Sequence, residues 1–258
     1  MLLALIVVFI IILIFIAVVK QSYPTIRGNI GEAIVARRLS ELPNKIYKVI
    51  NNIMLPTIDG ATTQVDHIVV SRFGIFVIET KDYSGWIFCS EKQSKWTQVF
   101  PNSERFYFQN PIKQNWRHIY AMSDILKLPR RYFFNIVVFC GDCEFRTDIP
   151  ENVIDSSDIK SYIKAFDRPL MSDKMVDGVV HAIAAWDASV TTEQKVAHVF
   201  NLHAAHDVAQ LSVSYERGEL KSPRCGAAMV LRHRKSDNAP FYGCSKYPVC
   251  KGIRVAMA

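Results

Sequence analysis

The hydrophobic pattern is sharpest in two adjoining runs, Gln64-Val65-Asp66-His67-Ile68-Val69-Val70 and Gly74-Ile75-Phe76-Val77-Ile78-Glu79-Thr80-Lys81. Both are rich in β-branched and aromatic residues, and the short link between them makes them paired strands. Upstream, Ile30, Ala33, Ile34, Val35 and Leu39 recur at helical spacing over residues 25–42, after a Pro24-Thr25 start, with Glu32, Arg37 and Arg38 at polar positions. Residues 47–55 read as a first strand, ended by Pro56. Past the paired runs, residues 83–89 turn into a short strand that residues 96–100 can join. Asn110-Pro111 opens a helix to about residue 126, and residues 132–140 form an apolar, central strand. Residues 158–166, 173–186 and 191–216 carry helical patterns. A helix, three strands, a helix and a strand in that order predict an α/β fold with an antiparallel hairpin and a crossover.

Residues 2–19 break this pattern. All eighteen are apolar, with no polar stripe and no small-residue cleavage site after them. That length is close to the ~20 residues that cross a bilayer, so a transmembrane anchor is expected at residues 1–20. Lys20, Arg27, Arg37 and Arg38 follow it, which places the remaining chain in the cytoplasm by the positive-inside rule. Six cysteines in local groups, rather than a spread framework, agree with a reducing compartment.

Net charge is +7, and its location matters more than its size. Residues 1–220 hold 23 basic and 23 acidic side chains, whereas residues 221–258 hold eight basic residues and one acid, Asp237. A basic C-terminal module on a neutral body points to a polyanion, nucleic acid or anionic lipid.

The candidate chemistry lies on the paired strands. Side chains alternate along a strand, so Glu79 and Lys81 share a face. A hairpin brings Asp66 beside Glu79. Two carboxylates at a strand end suit a hard cation such as Mg²⁺, and a lysine beside them suits a phosphate or an attacking water. Taken alone, Asp…Glu-x-Lys also describes a surface salt-bridge cluster. The surrounding residues sharpen it: Gly28-Asn29-Ile30-Gly31-Glu32, Gln64-Val65-Asp66-His67, Ile78-Glu79-Thr80-Lys81-Asp82-Tyr83-Ser84-Gly85-Trp86, and Asn110-Pro111 followed by Gln114-Asn115 and His118. Together, over about residues 25–145, these resemble the nuclease-related domain (NERD) family of the PD-(D/E)XK nuclease superfamily.

That resemblance implies a restriction-endonuclease-like α/β core and a phosphodiesterase site using Mg²⁺ or Mn²⁺. Asp66 and Glu79 are then the metal ligands, Lys81 the group that orients water or offsets phosphate charge, and Glu32 a further ligand or water positioner. Gln64, two residues before Asp66, and Gln114, one turn from His118, are expected to line the site. His67 points away from Asp66 and reads as a packed core histidine, and Trp86 as hairpin packing.

At the C-terminus, Ser222-Pro223-Arg224-Cys225-Gly226, a hairpin, and Phe241-Tyr242-Gly243-Cys244-Ser245-Lys246-Tyr247-Pro248-Val249-Cys250 resemble the four-cysteine zinc finger of bacterial type I topoisomerases. Ser222 stands where that pattern has its first cysteine, and a neutral hydroxyl is a poor Zn²⁺ ligand. Two outcomes stay open: Zn²⁺ on Cys225, Cys244 and Cys250 with a water, or a ribbon that holds its shape without metal. Arg232, Arg234, Phe241, Tyr242, Lys246, Tyr247 and Lys251 supply cations and rings for stacking and phosphate contact. Cys140-Gly141-Asp142-Cys143 lacks a partner pair at zinc spacing and reads as incidental.

The expected layout is an anchor (1–20), a nuclease-like domain (21–150), a helical connector (151–220) and a zinc-ribbon-like nucleic-acid-binding module (221–258). The function expected is that of a membrane-anchored, metal-dependent nuclease, with DNA the favoured substrate. The alternatives are a catalytically inactive membrane-tethered DNA-binding protein and a protein whose basic tail meets anionic lipid.

Overall fold

The structure, a computed structural model, describes residues 27–56, 62–191, 220–234 and 240–255. The chain divides into two compact units, residues 1–191 and 192–258.

In the first unit, helix α1 covers residues 27–40. Strands β1 (Lys48–Pro56), β2 (Thr62–Ser71) and β3 (Gly74–Asp82) follow, then β4 (Gly85–Phe88), β5 (Lys95–Val99) and β6 (Arg105–Gln109). Helix α2 (Pro111–Leu126) leads to β7 (Phe133–Cys140), β8 (Cys143–Phe145), β9 (Val153–Asp155), α3 (Ile159–Lys164) and α4 (Asp173–Ser189). The main sheet has the order β1-β2-β3-β7-β9. Its β1-β2-β3 part is antiparallel, and β7 joins β3 in parallel, as does β9 to β7.

Alternation along β3 explains the layers. Ile75 and Val77 point into one core with Ile119 and Met122 of α2 and Val176, Val179 and Ile183 of α4. Phe76 and Ile78 point into the other, with Val35 and Leu39 of α1 and Ile159 and Ile163 of α3. The main sheet is thus covered on both faces, which is why its central strands are apolar at nearly every position. A second sheet, β6-β5-β4-β8, lies over a third core of Ile87, Trp96, Ile112, Val137 and Phe139. Asn110 starts α2 as expected: its side chain accepts from Ile112 N at 2.9 Å, with Pro111 in the first turn.

In the second unit, β10 (Met229–His233), β11 (Pro240–Cys244) and β12 (Ile253–Val255) form an antiparallel three-stranded sheet. Leu220, Met229 and Tyr242 make its small core.

The membrane expectation is corrected here. Among the described residues no helix is long and apolar enough to cross a bilayer. The longest, α4 and α2, have 17 and 16 residues, and both carry charged side chains along one face. A single-pass anchor with the remainder of the chain in the cytoplasm is therefore not supported. The apolar run at residues 2–19 lies outside the described residues, as does the helix expected at residues 191–216 beyond its first residue.

Candidate active site

The site forms where two strands part. The β2–β3 pairing runs from Ser71↔Gly74 back to His67↔Ile78 and stops. On the other side of β2, the β1 register skips Asn52, whose φ is +59°, opposite Asp66. The chain kinks there, and alternation slips: Val65 and Ile68 face the same core. Thr80 keeps Val138 of β7 as a neighbour but has no partner on β2, and its N–H donates to Asp66 Oδ2 at 2.8 Å. The carboxylate thereby sits in the wedge between the parting strands, beside Glu79.

Glu79 is the hub, only 2 % exposed. Its Oε1 accepts from Lys81 Nζ at 2.5 Å and from Gln114 Nε2 at 2.6 Å. Lys81 also donates to Gln114 Oε1 at 3.3 Å, which closes a triangle. His118 Nε2 lies 3.3 Å from Glu79 Oε2, within ion-pair reach when the ring is protonated but without the alignment of a hydrogen bond, so that buried oxygen has no hydrogen-bond partner. Glu32 comes from the other face, on α1. Gly31 permits this approach: a Cβ there would sit 2.9 Å from Asp82 Cβ. Arg27 anchors the start of the described helix by pairing with Asp82 and donating to Ser84 Oγ at 3.1 Å.

The electrostatics follow from three carboxylates sharing one lysine. Burial, then the charge of Glu79, pushes the Asp66 carboxyl well above the usual carboxylate range, with Lys81 and the Thr80 N–H pulling the other way. Glu32 is raised by burial and by Glu79. Burial also works upward on Glu79, but Lys81 and then His118 overcome it and bring the carboxyl down to about 2. Lys81 is itself held charged: burial lowers its pKa, but Glu79 more than compensates. A raised carboxyl beside a carboxylate oxygen without a hydrogen-bond partner is a corner short of positive charge. These residues fit a hard divalent cation with oxygen ligands.

The structure brings Glu32, Asp66, Glu79, Lys81 and Gln114 into one neighbourhood. Gln64 is tied elsewhere: its Nε2 donates to Asn52 Oδ1 at 2.6 Å, because the kink breaks the alternation that would have aligned it with Asp66. His67 is buried, its Nδ1 2.8 Å from Asn51 Oδ1, and burial lowers its pKa to about 4, so it packs as a neutral ring. Three supporting residues were missed. Thr63 Oγ1 holds His118 Nδ1 at 2.7 Å. Arg27 secures α1. Asn115 pins α2 to the sheet by donating to the carbonyls of Val77 at 2.8 Å and Ile136 at 3.1 Å. A buried Asn beside Gln114 was the one available signal.

In the second unit, the thiols of Cys225, Cys244 and Cys250 lie within 4.8 Å of one another, the one such ligand group among the described residues. Ser222 Oγ sits 3.5 Å from Cys250 Sγ in the position a fourth ligand would take. Hydrogen bonds, first from the Ala227 backbone and then from Cys250, bring Cys225 down to about 7, while desolvation raises Cys244. Three converging sulfurs suit a soft or borderline metal such as Zn²⁺. Tyr242 is corrected: it is 7 % exposed, in the ribbon core with Leu220 and Met229, rather than on the surface. Lys246, Lys251, Arg234 and Tyr247 are exposed, Phe241 and Arg232 are half-buried, and Arg232 Cζ lies 5.5 Å from the Tyr247 ring centre. Cys140 and Cys143 are both raised to about 11 by burial, which keeps them as thiols.

A mixed sheet whose parting strands gather carboxylates and one lysine gives the α/β scaffold a polar, charged corner. Comparison with known proteins gives it a family. Residues 27–140 match the nuclease-related domain, NERD. An uncharacterized protein of Bacillus anthracis is 36% identical over 174 residues, a stretch covering 65% of this chain and 80% of that protein. The chain belongs to the nuclease-related domain family. The nuclease-related domain suggests a nuclease-like function, with nucleic acid as the substrate class and a divalent metal in use.

Proposed function

We propose that this protein is a Mg²⁺- or Mn²⁺-dependent nuclease of the PD-(D/E)XK type that hydrolyses phosphodiester bonds, with DNA the favoured substrate. The observation that carries the reading is the corner itself: a buried Glu79 Oε2 without a hydrogen-bond partner beside an Asp66 carboxyl raised by burial, with Lys81 held charged next to both. Asp66 and Glu79 hold the cation, with Glu32 as a further ligand or water positioner. When bound, such a cation lowers the pKa of a water and polarises the scissile phosphate. Lys81 offsets charge that develops on the phosphate oxygens, in a buried site where a fixed cation is worth more than in water. Gln114 fixes the Glu79 and Lys81 rotamers. Asp66 accepts from Thr80 N, so the ligand is held before any metal arrives.

The C-terminal ribbon is proposed to hold substrate through Arg232, Arg234, Phe241, Lys246, Tyr247 and Lys251, and to take Zn²⁺ at Cys225, Cys244 and Cys250. The test is cleavage of labelled single-stranded, duplex and branched DNA, and of RNA, with Mg²⁺ or Mn²⁺, by the wild type and by Asp66→Asn. Cation-dependent cleavage that disappears in the variant supports the reading. Cleavage that survives chelation, or is equal in Asp66→Asn, refutes it.

A further inference from the structure

We propose that the outer face of the β6-β5-β4-β8 sheet is a stacking surface for an unpaired nucleic-acid strand, next to the catalytic corner. For the identity of the polymer it rests on the nuclease reading. One face of this sheet is spoken for: Ile87 and Trp96 are buried in the third core, and Gln98 donates to the Ser84 carbonyl at 2.7 Å. Alternation then sends Trp86 and Phe88 of β4 and Tyr107 of β6 to the opposite face, where they are 37%, 39% and 43% exposed.

The register arranges them. Thr97 of β5 pairs with Phe88 on one side and with Tyr107 on the other, so these two rings lie in one row across the sheet. They are two strands apart, about 9.6 Å, and Trp86 is two residues along from Phe88, about 6.8 Å. Burying one face of a sheet does not require large aromatics on the other. Three of them exposed together on one small sheet mark a binding surface.

Charge decides the partner. Arg105 shares the outer face of β6 with Tyr107, and Lys95 is exposed on β5. Arg146 continues the β8 ladder, its N–H donating to the Ile87 carbonyl at 2.8 Å. Its guanidinium lies 4.9 Å from the Trp86 ring centre and 2.9 Å from Glu144. Three cations among the rings, against one carboxylate, complement a polyanion. Cations alone would accept any polyanion. Exposed rings select one whose bases are free to stack, and a duplex keeps its bases stacked on each other. Location agrees: Gly85 follows Lys81 by four residues, and Tyr83 between them packs its ring 4.5 Å from Phe108 on the inner face. A strand laid on this sheet leads to the corner.

The full chain is titrated, with chelator and no divalent cation, against a fluorescent oligothymidylate of about 20 nucleotides, long enough for one to a few sheet-sized sites, and against a blunt duplex of equal length. In Trp86→Ala/Tyr107→Ala, oligothymidylate binding is expected to weaken about tenfold or more, since each lost ring removes a stacking contact. Duplex binding changes much less, and Trp86→Phe/Tyr107→Phe restores affinity. The salt slope holds in the alanine variant but falls by about one for each cation removed in Lys95→Ala/Arg105→Ala. The proposal is overturned if the wild type does not bind oligothymidylate, if the alanine variant binds it as tightly, or if both probes weaken alike. Because binding is read without divalent cation, failure of the cleavage reading registers in the cleavage assay and not here.

Discussion

The carboxylate corner and the cysteine knuckle gather ligands on opposite physical terms. The corner is built where inner strands part in a sheet buried on both faces, and its charged groups are clamped by one another: Lys81 and Gln114 on Glu79, the Thr80 N–H on Asp66. The knuckle stands on a core of Leu220, Met229 and Tyr242. Its sulfurs are held by backbone N–H groups and by each other, with Lys246 N donating to Cys244 Sγ at 3.4 Å and the Cys225 and Cys244 Sγ atoms 3.5 Å apart. A large apolar core can hold like charges together before a metal binds, at a cost in stability. A ribbon this small has little to set against that cost and would gain more from a bound metal. The corner should therefore respond to substitution mainly in activity and the knuckle mainly in folding.

Lys81→Met should give the largest effect. It removes the one cation among three carboxylates, and cleavage should fall by about 10²–10³-fold, the range seen when a single transition-state charge partner is lost. Single-turnover kinetics check this, and circular dichroism should show the fold retained.

Next comes the effect of cation on stability. Mg²⁺ at a hundredfold excess over its Kd should stabilise the first unit by about 2.7 kcal/mol through mass action, and Asp66→Asn should abolish that gain. In the absence of metal the same variant should melt higher than the wild type. Asp66 has a folded pKa raised above the unfolded value, so its favourable contribution is present below the unfolded pKa and is lost as pH rises through the folded one. The advantage of the variant therefore grows with pH. Glu79 runs the other way: it contributes above its ordinary 4.5, and the contribution is lost as pH falls toward about 2. Thermal melts from acid to neutral pH separate the two.

Gly31→Ala should cost about 1–3 kcal/mol, because the new methyl meets Asp82 Cβ and pushes α1 off β3. Cleavage should fall as Glu32 withdraws, with Mg²⁺ affinity reduced in calorimetry. Smallest, Ser222→Cys should tighten Zn²⁺ binding by about tenfold or more by completing a four-thiolate set. Competition with a chromogenic chelator measures it, and the corner should not respond.

The hairpin, the Asn110 cap and the shared face of Glu79 and Lys81 were legible because each depends on local periodicity or a local cap. So was the cysteine cluster, whose spacing implies a knuckle. What was hidden depends on partners remote in sequence or on backbone geometry that residue types do not encode. The left-handed Asn52 of β1 interrupts the β1–β2 register opposite Asp66 and takes Gln64 as its side-chain partner. Arg27 finds Asp82 across 55 residues. The exposure of Trp86 is set by which face of its sheet meets Val137 and Phe139. Tyr242 and Tyr247 look alike in sequence, yet one fills the ribbon core and the other is 58% exposed. The apolar run at residues 2–19 carried the expectation of an anchor on composition alone, and the described helices do not support it.

The central claim is that Asp66 and Glu79 form a divalent-cation site independent of the knuckle. Mn²⁺ titrated into the full chain and followed by electron paramagnetic resonance tests it most directly. The account predicts tight Mn²⁺ binding in the wild type and in Cys244→Ser, and its loss in Asp66→Asn and in Glu79→Gln. Mn²⁺ binding that survives both carboxylate substitutions, or that disappears with Cys244, would contradict it.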